Sequence, residues 1–381
     1  MVCSRAVIRV GAVLSLHGHF APQGRQAHAG LALWADAVNA AGGLAVRDHG
    51  GQWPIELIVY DDESRAGPAT SWTEHLILTD RVNLLVGPYS STLTLVVAAV
   101  AERHRKVLWN HGGASDAVAR QGFRFVVSLP SPASQYFVSV LELVRTVVPD
   151  ARRLVLLQGV GGTFAATVIA GAAAYAHQHG LQIILHAPYP STPAGFAGLG
   201  ARVAACKPDL ILGVGRTEAD LQFARACRAQ QVGTRLIGLV ATPLHVFKQT
   251  LGREADGFVG PSQWEPGVRY QPDIGPTPAA FAARFRDRYH IEPEYPAVQA
   301  YAAGLVAQHC INVAGTLQDE ALRECAHRLA LTTLYGAFKL DPVTSVQRGH
   351  RLVVVQWQGE QKPIVWPAAG AAAPLYILPP P

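Results

Sequence analysis

The sequence predicts an α/β protein built from two doubly wound lobes with parallel sheets, joined by a three-strand hinge. Short apolar runs alternate with amphipathic stretches along most of the 381 residues, a spacing typical of right-handed βαβ units. The alternation starts afresh near residue 125, so the pattern occurs twice. A composition that is 49% hydrophobic and 15% charged can fill two sizeable cores.

The first lobe begins with two strand–helix pairs, predicted at residues 7–16, 24–41, 54–60 and 69–79. Gly42 and Gly43 end the first of these helices. The second pair follows the acidic turn at 61–63, for which a solvated turn is favoured over a metal site because no further ligand lies nearby.

The stretch from Val86 to Ala114 organises this lobe as strand, turn, helix, strand and turn. Its helix carries an apolar stripe at helical spacing: Leu93, Val96, Val97 and Val100. We expect its two turns to lie side by side at the carboxyl ends of parallel strands, where open α/β sheets bind ligands. Ser91 at the start of the helix offers a hydroxyl and free N–H groups to an anion.

The second lobe is predicted from a crossover strand at 122–127, followed by alternating elements up to residue 240. Residues 257–260 are expected to return the chain to the first lobe, which then adds helices at 278–289, 297–313 and 319–329. Three further strands are predicted at 337–340, 352–358 and 363–366. Lobe 1 is therefore predicted as 6–125 plus 257–335, lobe 2 as 126–256 plus 336–370, and 371–381 as a tail. The crossings form a hinge near residues 125, 256 and 335.

Three segments give the chain a family resemblance: Gly87-Pro88-Tyr89-Ser90-Ser91, Asn39-Ala40-Ala41-Gly42-Gly43 and Tyr60-Asp61-Asp62-Glu63-Ser64. They resemble the type I periplasmic binding proteins, in particular the branched-chain amino acid and amide binding components of ABC importers. The resemblance implies an extracytoplasmic protein that captures a small ligand between two closing lobes and delivers it to a transporter permease.

The resemblance also implies a ligand site. Ser91 and backbone groups of the second turn would hold a carboxylate or amide, with Ala114 standing where many amino-acid binders have a threonine. The predicted ligand-binding residues are Phe20, Tyr89, Ser90, Ser91, His111, Gly112, Gly113, Ala114, Phe164, Arg216 and Trp264. Four of these have simpler alternatives: a helix cap for Ser91, core packing for Phe164 and Trp264, and a solvated surface arginine for Arg216.

One departure from the family bears on the ligand. Amino-acid binders usually present an acid from the second lobe to the ligand's ammonium group, but the matching stretch 238–243 has none. An unpaired buried ammonium costs several kcal/mol. We therefore expect a small apolar or aromatic carboxylic acid, a keto acid or an amide ahead of leucine or valine, with Glu218 and Glu265 as the acids that could substitute.

The catalytic and cofactor-binding motifs that we considered are incomplete in this sequence. Gly159-Val160-Gly161-Gly162 follows a predicted strand like a dinucleotide loop, but Phe164 stands where the third glycine belongs. His17 and His19 lack a third metal ligand nearby, and the basic cluster 103–106 closes a helix, where cations are favourable. No enzyme activity, cofactor, metal, nucleic-acid contact or membrane insertion is predicted.

The sequence does not decide between an extracytoplasmic and a cytoplasmic location. Met1 to Arg5 run into the first strand without a signal-peptide pattern, so either a leader was removed or the protein is cytoplasmic. A cytoplasmic ligand sensor of the same fold, regulating transcription through a partner, is the alternative function. The five cysteines lack metal-ligand spacing and are expected as small buried apolar residues.

Overall fold

The computed structural model describes residues 7–378, apart from the side chain of His49. The chain divides into two compact units. Unit 1 comprises Met1–Ser131 and Arg269–Arg351, and unit 2 comprises Pro132–Val268 and Leu352–Pro381. The chain therefore passes between units three times, at positions later than the predicted crossings near 125, 256 and 335. Cys3, the remainder of 1–6 and the last three residues of the predicted tail lie outside the described residues.

The first part of unit 1 alternates strands and helices as expected. Its elements are β1 (Ile8–Leu14), α1 (Ala21–Ala40), β2 (Leu44–Ala45), β3 (Gln52–Trp53), β4 (Ile55–Asp61), α2 (Ala66–Leu78), β5 (Leu84–Val86), α3 (Ser91–Arg103), β6 (Leu108–Asn110), α4 (Asp116–Ala119) and β7 (Val126–Ser128).

The first part of unit 2 continues the alternation. It contains α5 (Tyr136–Val147), β8 (Arg153–Gln158), α6 (Thr163–Gln178), β9 (Gln182–Pro188), α7 (Pro193–Ala205), β10 (Leu210–Val214), α8 (Thr217–Ala229), β11 (Leu236–Leu239), α9 (His245–Leu251) and β12 (Val259–Ser262).

The remaining elements are divided between the units. Unit 1 receives α10 (Pro278–Tyr289), α11 (Tyr295–Ala314), α12 (Asp319–Arg328), β13 (Ala330–Thr333) and β14 (Gly336–Lys339), whereas unit 2 receives β15 (Val353–Gln356) and β16 (Ile364–Trp366).

The main sheet of unit 1 has five parallel strands in the order β4-β1-β5-β6-β7. Strand β1 lies inside the sheet between β4 and β5, and all but one of its residues are buried. Helix α3 packs its buried side chains Leu93 and Val97 into a core that includes Leu85 and Leu108 of the sheet. Of the predicted stripe only Val96 is half-buried. The carboxyl ends of β5 and β6 lie next to each other because these two strands pair in parallel.

The main sheet of unit 2 has seven strands in the order β16-β15-β12-β11-β10-β8-β9. The prediction that residues 257–260 return the chain to the first lobe was wrong, because β12 pairs in parallel with β11 and antiparallel with β15. The assignment of 337–340 to the second lobe was also wrong, since β14 pairs with β13 inside unit 1. Likewise, 122–127 is no crossover: β7 is the edge strand of the first sheet.

Candidate functional site

The two glycine-containing turns lie side by side at the carboxyl edge of the unit 1 sheet, as predicted. Strands β5 and β6 run parallel, and a parallel bridge joins Tyr89 to Gly112 beyond the end of the ladder. A Cβ atom on Gly112 would stand 2.8 Å from the Pro88 carbonyl oxygen and from the Cα of Tyr89. Real Cβ contacts are not that short, so the close approach of the turns requires glycine here.

Ser90, not Ser91, caps helix α3. Its hydroxyl accepts a hydrogen bond from the N–H of Leu93 at 3.3 Å, and its backbone has φ 81° and ψ 138°. Such a conformation is uncommon for a residue with a side chain and costs of order 1–3 kcal/mol. The first turn is therefore held in a strained geometry at the start of the helix.

Ser91 joins the two turns. Its buried hydroxyl oxygen accepts from the N–H of Ser115 at 2.9 Å, and Ser115 in turn caps α4. The predicted cap role therefore does not apply to Ser91. Its hydroxyl hydrogen is free to donate while its oxygen accepts.

Asn110 is the residue that sequence reasoning missed. Its side-chain oxygen accepts from the N–H groups of Gly112 and Gly113 at 3.2 and 2.8 Å, and its amide group donates to the Gly113 carbonyl and to Ser128. These two N–H groups are consequently engaged inside the protein, which corrects the expectation that they are open to an anion. The signal was present in the sequence, because asparagine commonly bonds backbone groups two residues on.

Three other donors remain at this edge. Within residues 7–378, the main-chain N–H groups of Ser91, Thr92 and Ala114 have no protein acceptor. Two belong to the first turn of a 13-residue helix, whose N-terminus carries a partial positive charge of about half a unit. Together with the Ser91 hydroxyl they form an anion-binding group, which we call the cradle.

Aromatic side chains lie beside the cradle. Tyr89 contacts the ring of Phe20 edge-on at 5.7 Å between centroids, and its hydroxyl is 2.5 Å from the Tyr295 hydroxyl. Burial raises the pKa of Tyr89 to about 12, so the phenol stays neutral at physiological pH. These rings offer an apolar surface next to polar donors, the usual composition of small-molecule sites.

His111 faces the interior of unit 1. It is completely buried, and burial lowers its pKa to about 4. Neither ring nitrogen has a hydrogen-bond partner among the residues that the structure describes. The imidazole is therefore neutral, and its predicted place in the ligand site remains a prediction.

The carboxyl edge of the unit 2 sheet carries the other predicted residues. Phe164 is the second residue of helix α6 and contacts Tyr136 edge-on at 5.1 Å between ring centroids. The hydroxyl of Tyr136 accepts a hydrogen bond from the side chain of Gln263 at 2.9 Å. Arg216 follows β10, is exposed, and forms no ion pair or side-chain hydrogen bond in the described part of the chain. Trp264 is only 1% exposed. A cavity of about 330 Å³ lies at the same edge, lined by 158–161 and 186–188.

The stretch 238–243 is anchored by residues distant in sequence. Buried Asp220 accepts from the N–H of Ala241 at 2.9 Å, and Trp357 donates from its ring nitrogen to the Thr242 carbonyl, also at 2.9 Å. Lys362 bonds the Pro243 carbonyl and forms an ion pair with Glu265 at 3.0 Å. Burial raises the pKa of Asp220 to about 7.

The remaining predicted absences concern metals and membranes. Within 7–378, no group of three or more His, Cys, Asp or Glu side chains is arranged to hold a metal. His17, one of the two histidines considered, bonds Asp61 at 2.5 Å. No helix among these residues is long and apolar enough to cross a membrane. Of the four described cysteines, Cys227 and Cys310 are buried and Cys206 and Cys325 are half-buried.

Comparisons with known proteins agree on one kind of molecule. Residues 7–362 match the family model described as "Periplasmic binding protein". A leucine-binding protein from Thermotoga maritima shares 17% identity at a TM-score of 0.80, covering 94% of this chain and 97% of its own.

Two solute-binding proteins of ABC transporters from Rhodopseudomonas palustris also match. One was solved with benzoate (19% identity, TM-score 0.77, 97% and 98% coverage). The other was solved with 3,4-dihydroxybenzoic acid (16% identity, TM-score 0.76, 93% and 94% coverage). At these identities the structural matches establish the α/β fold with its parallel sheets.

Proposed function

Because the chain belongs to the periplasmic binding protein family, we propose that it is the extracytoplasmic solute-binding component of an ABC importer and that its ligand is a small carboxylic acid. The family consists of solute-binding proteins rather than enzymes. A permease is accordingly the proposed protein partner.

The cradle of unit 1 carries this proposal. Three N–H groups without a protein acceptor and the Ser91 hydroxyl belong to the two turns and the start of α3, which the Ser91–Ser115 hydrogen bond joins. The residues of the two turns, 87–91 and 110–115, include no acid. A carboxylate bonded by two or three such donors gains charge-assisted hydrogen bonds of about 1.5–3 kcal/mol each. An ammonium group would find no carboxylate there with which to pair.

Glu265 and Glu218, the two acids that could pair with a ligand's ammonium group, do not support an amino acid as the ligand. The carboxylate of Glu265 is 6% exposed and paired with Lys362, so its charge is already neutralised. Glu218 is exposed on α8 and accepts from Gln222 at 2.9 Å. A ligand without an ammonium group fits this distribution better than leucine or valine does.

The ligands of the structural relatives span both possibilities. One relative is a leucine-binding protein, whereas two others were solved with aromatic carboxylic acids. Phe20 and Tyr89 next to the cradle supply the ring surface that an aromatic or branched apolar acid would contact. We therefore propose an apolar or aromatic carboxylate, with keto acids included.

Calorimetry with matched ligands tests the ligand class. Leucine and its keto acid, 4-methyl-2-oxopentanoate, differ only in the group beside the carboxylate. Benzamide has a neutral NH2 group in place of one carboxylate oxygen of benzoate, so it lacks the charge that the cradle would bind. We expect the keto acid to bind more tightly than leucine and benzoate more tightly than benzamide. Leucine binding tighter by about 1.4 kcal/mol, which is tenfold, would contradict the proposal.

Ser91→Ala tests the cradle itself. Loss of the hydroxyl should weaken carboxylate binding by roughly ten- to a hundredfold. The variant also loses the acceptor of Ser115, so a control must remove a structural hydroxyl nearby. Thr94→Val does so, because the buried Thr94 hydroxyl donates to the Ser90 carbonyl at 2.9 Å. Equal losses of affinity in both variants would assign Ser91 a purely structural role.

A further inference from the structure

Unit 1 carries a second concave site at the opposite edge of its sheet. Its cavity measures about 540 Å³ and is lined by the loop that precedes β7, the last turns of α12 and the loop 342–345. Residues 120–124 precede a parallel strand, so they lie at the amino edge, whereas the cradle lies at the carboxyl edge. The volume is within the range of about 300–1,000 Å³ of small-molecule sites.

Positive charge dominates the lining. It contains four arginines and one acid, namely Arg120, Arg124, Arg323, Arg328 and Glu324. Glu324 stands 3.7 Å from a nitrogen of Arg323 and 3.7 Å from a nitrogen of Arg328, too far for close bidentate pairs. Arg124 has a similarly loose partner, Glu102, at 3.7 Å. At least two positive charges remain uncompensated.

The helix ends do not remove this excess. Arg120 follows α4, a single turn of four residues, and Arg328 is the last residue of α12. A helix C-terminus contributes about half a negative charge, and that contribution is smaller for a single turn. Within the described residues, Arg120 has no side-chain hydrogen bond or ion pair at all. Its guanidinium is available to a ligand.

Part of the cavity wall is fixed by contacts within unit 1. Arg323 is 20% exposed and lies over the Phe125 ring at 5.2 Å. The loop 342–345 is closed by Asp341, which accepts from the N–H and hydroxyl of Thr344, both at 2.8 Å. His327 contacts Ser345, and burial lowers its pKa, so it is uncharged at neutral pH. Because Arg323 is held in this way, it loses little freedom on binding, and its planar guanidinium can bind an oxyanion through two parallel hydrogen bonds.

We propose that this cavity, lined by Arg120, Arg124, Arg323 and Arg328, is a binding site for a small anion with two or more negative charges, such as a polycarboxylate or a phosphate-bearing molecule. It is separate from the cradle and independent of the proposed transport function. A monocarboxylate would leave positive charge unpaired here, so the two sites differ in the charge of the ligand they accept.

The test is calorimetric titration with citrate and with inorganic pyrophosphate at constant ionic strength, since exposed charges are screened within about 8–10 Å in physiological salt. The Arg120→Gln/Arg328→Gln double variant removes two charges that make no close pair. The control, Arg284→Gln/Arg288→Gln, removes two exposed charges from α10 of the same unit, outside the cavity.

We expect at least one of the two anions to bind the wild type with a Kd below about 1 mM, and the cavity variant to bind it at least ~tenfold more weakly. The α10 variant should change affinity less than ~twofold, and Ser91→Ala should leave it unchanged. Two results would overturn the proposal: no binding of either anion, or equal losses of affinity in both double variants.

Discussion

At the scale of the residue, Asn110 decides the geometry of the second turn. One buried side chain satisfies two N–H groups and one carbonyl of a turn that lacks regular secondary structure, and it reaches Ser128 on the neighbouring strand. Buried backbone groups without partners cost about 1–3 kcal/mol each. The conformation of the turn therefore depends on the Asn110 amide as well as on its glycines.

Asn110→Ala is expected to lower the free energy of unfolding by roughly 2–4 kcal/mol, because several buried groups lose their partners at once. Urea denaturation of the two proteins measures the difference. The matched control is Asn312→Ala on the exposed face of α11, which should stay within about 0.5 kcal/mol of the wild type. A similar small change for Asn110→Ala would mean that water replaces the amide without cost.

Two buried titratable groups predict opposite dependences on pH. Burial raises the pKa of Asp220 from 3.8 to about 7, so between these values the unfolded chain binds fewer protons and stability falls as the pH rises. Burial lowers the pKa of His111 from 6.5 to about 4, so its contribution is lost as the pH falls through that window. Each group contributes at most about 1.4 kcal/mol per pH unit, and the two partly cancel.

The Asp220→Asn substitution separates the contribution of Asp220 from that of His111. It removes the titrating carboxyl group, while the asparagine side chain can still accept a hydrogen bond from the N–H of Ala241. The stability of this variant relative to the wild type should increase from pH 4 to pH 7 and level off above. Urea denaturation at pH 4.5, 5.5, 6.5 and 7.5 follows the difference. Exposed Glu218→Gln is the control and should give a nearly constant difference. A constant difference for Asp220→Asn as well would show that the carboxyl is ionised throughout.

At the scale of the element, the contact between the two turns depends on glycines that have no room for a side chain. Gly87 has φ +127°, and a Cβ there would stand 2.5 Å from the Val13 carbonyl oxygen. Gly112 meets the backbone of the other turn at 2.8 Å. Backbone atoms cannot rotate away as a flexible side chain can. Replacing Gly112 must therefore push the two turns apart, whereas replacing Gly87 must move the first turn away from β1.

Gly112→Ala should therefore weaken carboxylate binding at least ~tenfold and destabilise unit 1 by about 1–3 kcal/mol, as overpacking does. Gly198→Ala is the contrasting change, since no atom lies within 4 Å of its added Cβ in the middle of helix α7. It should stabilise the protein by up to about 1 kcal/mol and leave binding unchanged. Thermal unfolding and calorimetry on both variants measure these effects, and unaltered binding by Gly112→Ala would argue against the cradle.

At the scale of the whole molecule, neither unit is a continuous piece of chain. Unit 2 needs β15 and β16 from the last thirty residues, and β15 is fully buried between β12 and β16. Trp357 and Lys362 also hold the stretch 238–243. The C-terminal segment is thus an integral part of the second sheet.

Truncation after Arg351 should prevent unit 2 from folding, because it uncovers the edge of β12 and removes the fully buried side chains Val354 and Val355. We expect aggregation on size-exclusion chromatography and rapid proteolysis within 132–268, while unit 1 keeps all of its strands. The substitution Val343→Ala, at an 89% exposed position before the cut, should change neither measurement. A truncated chain as resistant to protease as the wild type would contradict this account.

The sequence by itself determined the fold class, the alternation of elements and the juxtaposition of the two turns, since these follow from local periodicity and from the geometry of parallel strands. The sequence could not assign β12, β14 and β7 to their sheets. A short buried strand has the same apolar pattern whichever strand it pairs with, so the pattern does not identify its neighbour. Tertiary structure alone decided that Ser91 binds Ser115 and that Lys362 neutralises Glu265. Each of these is a contact between groups whose meeting depends on packing, and in the case of Lys362 and Glu265 on a partner almost a hundred residues away.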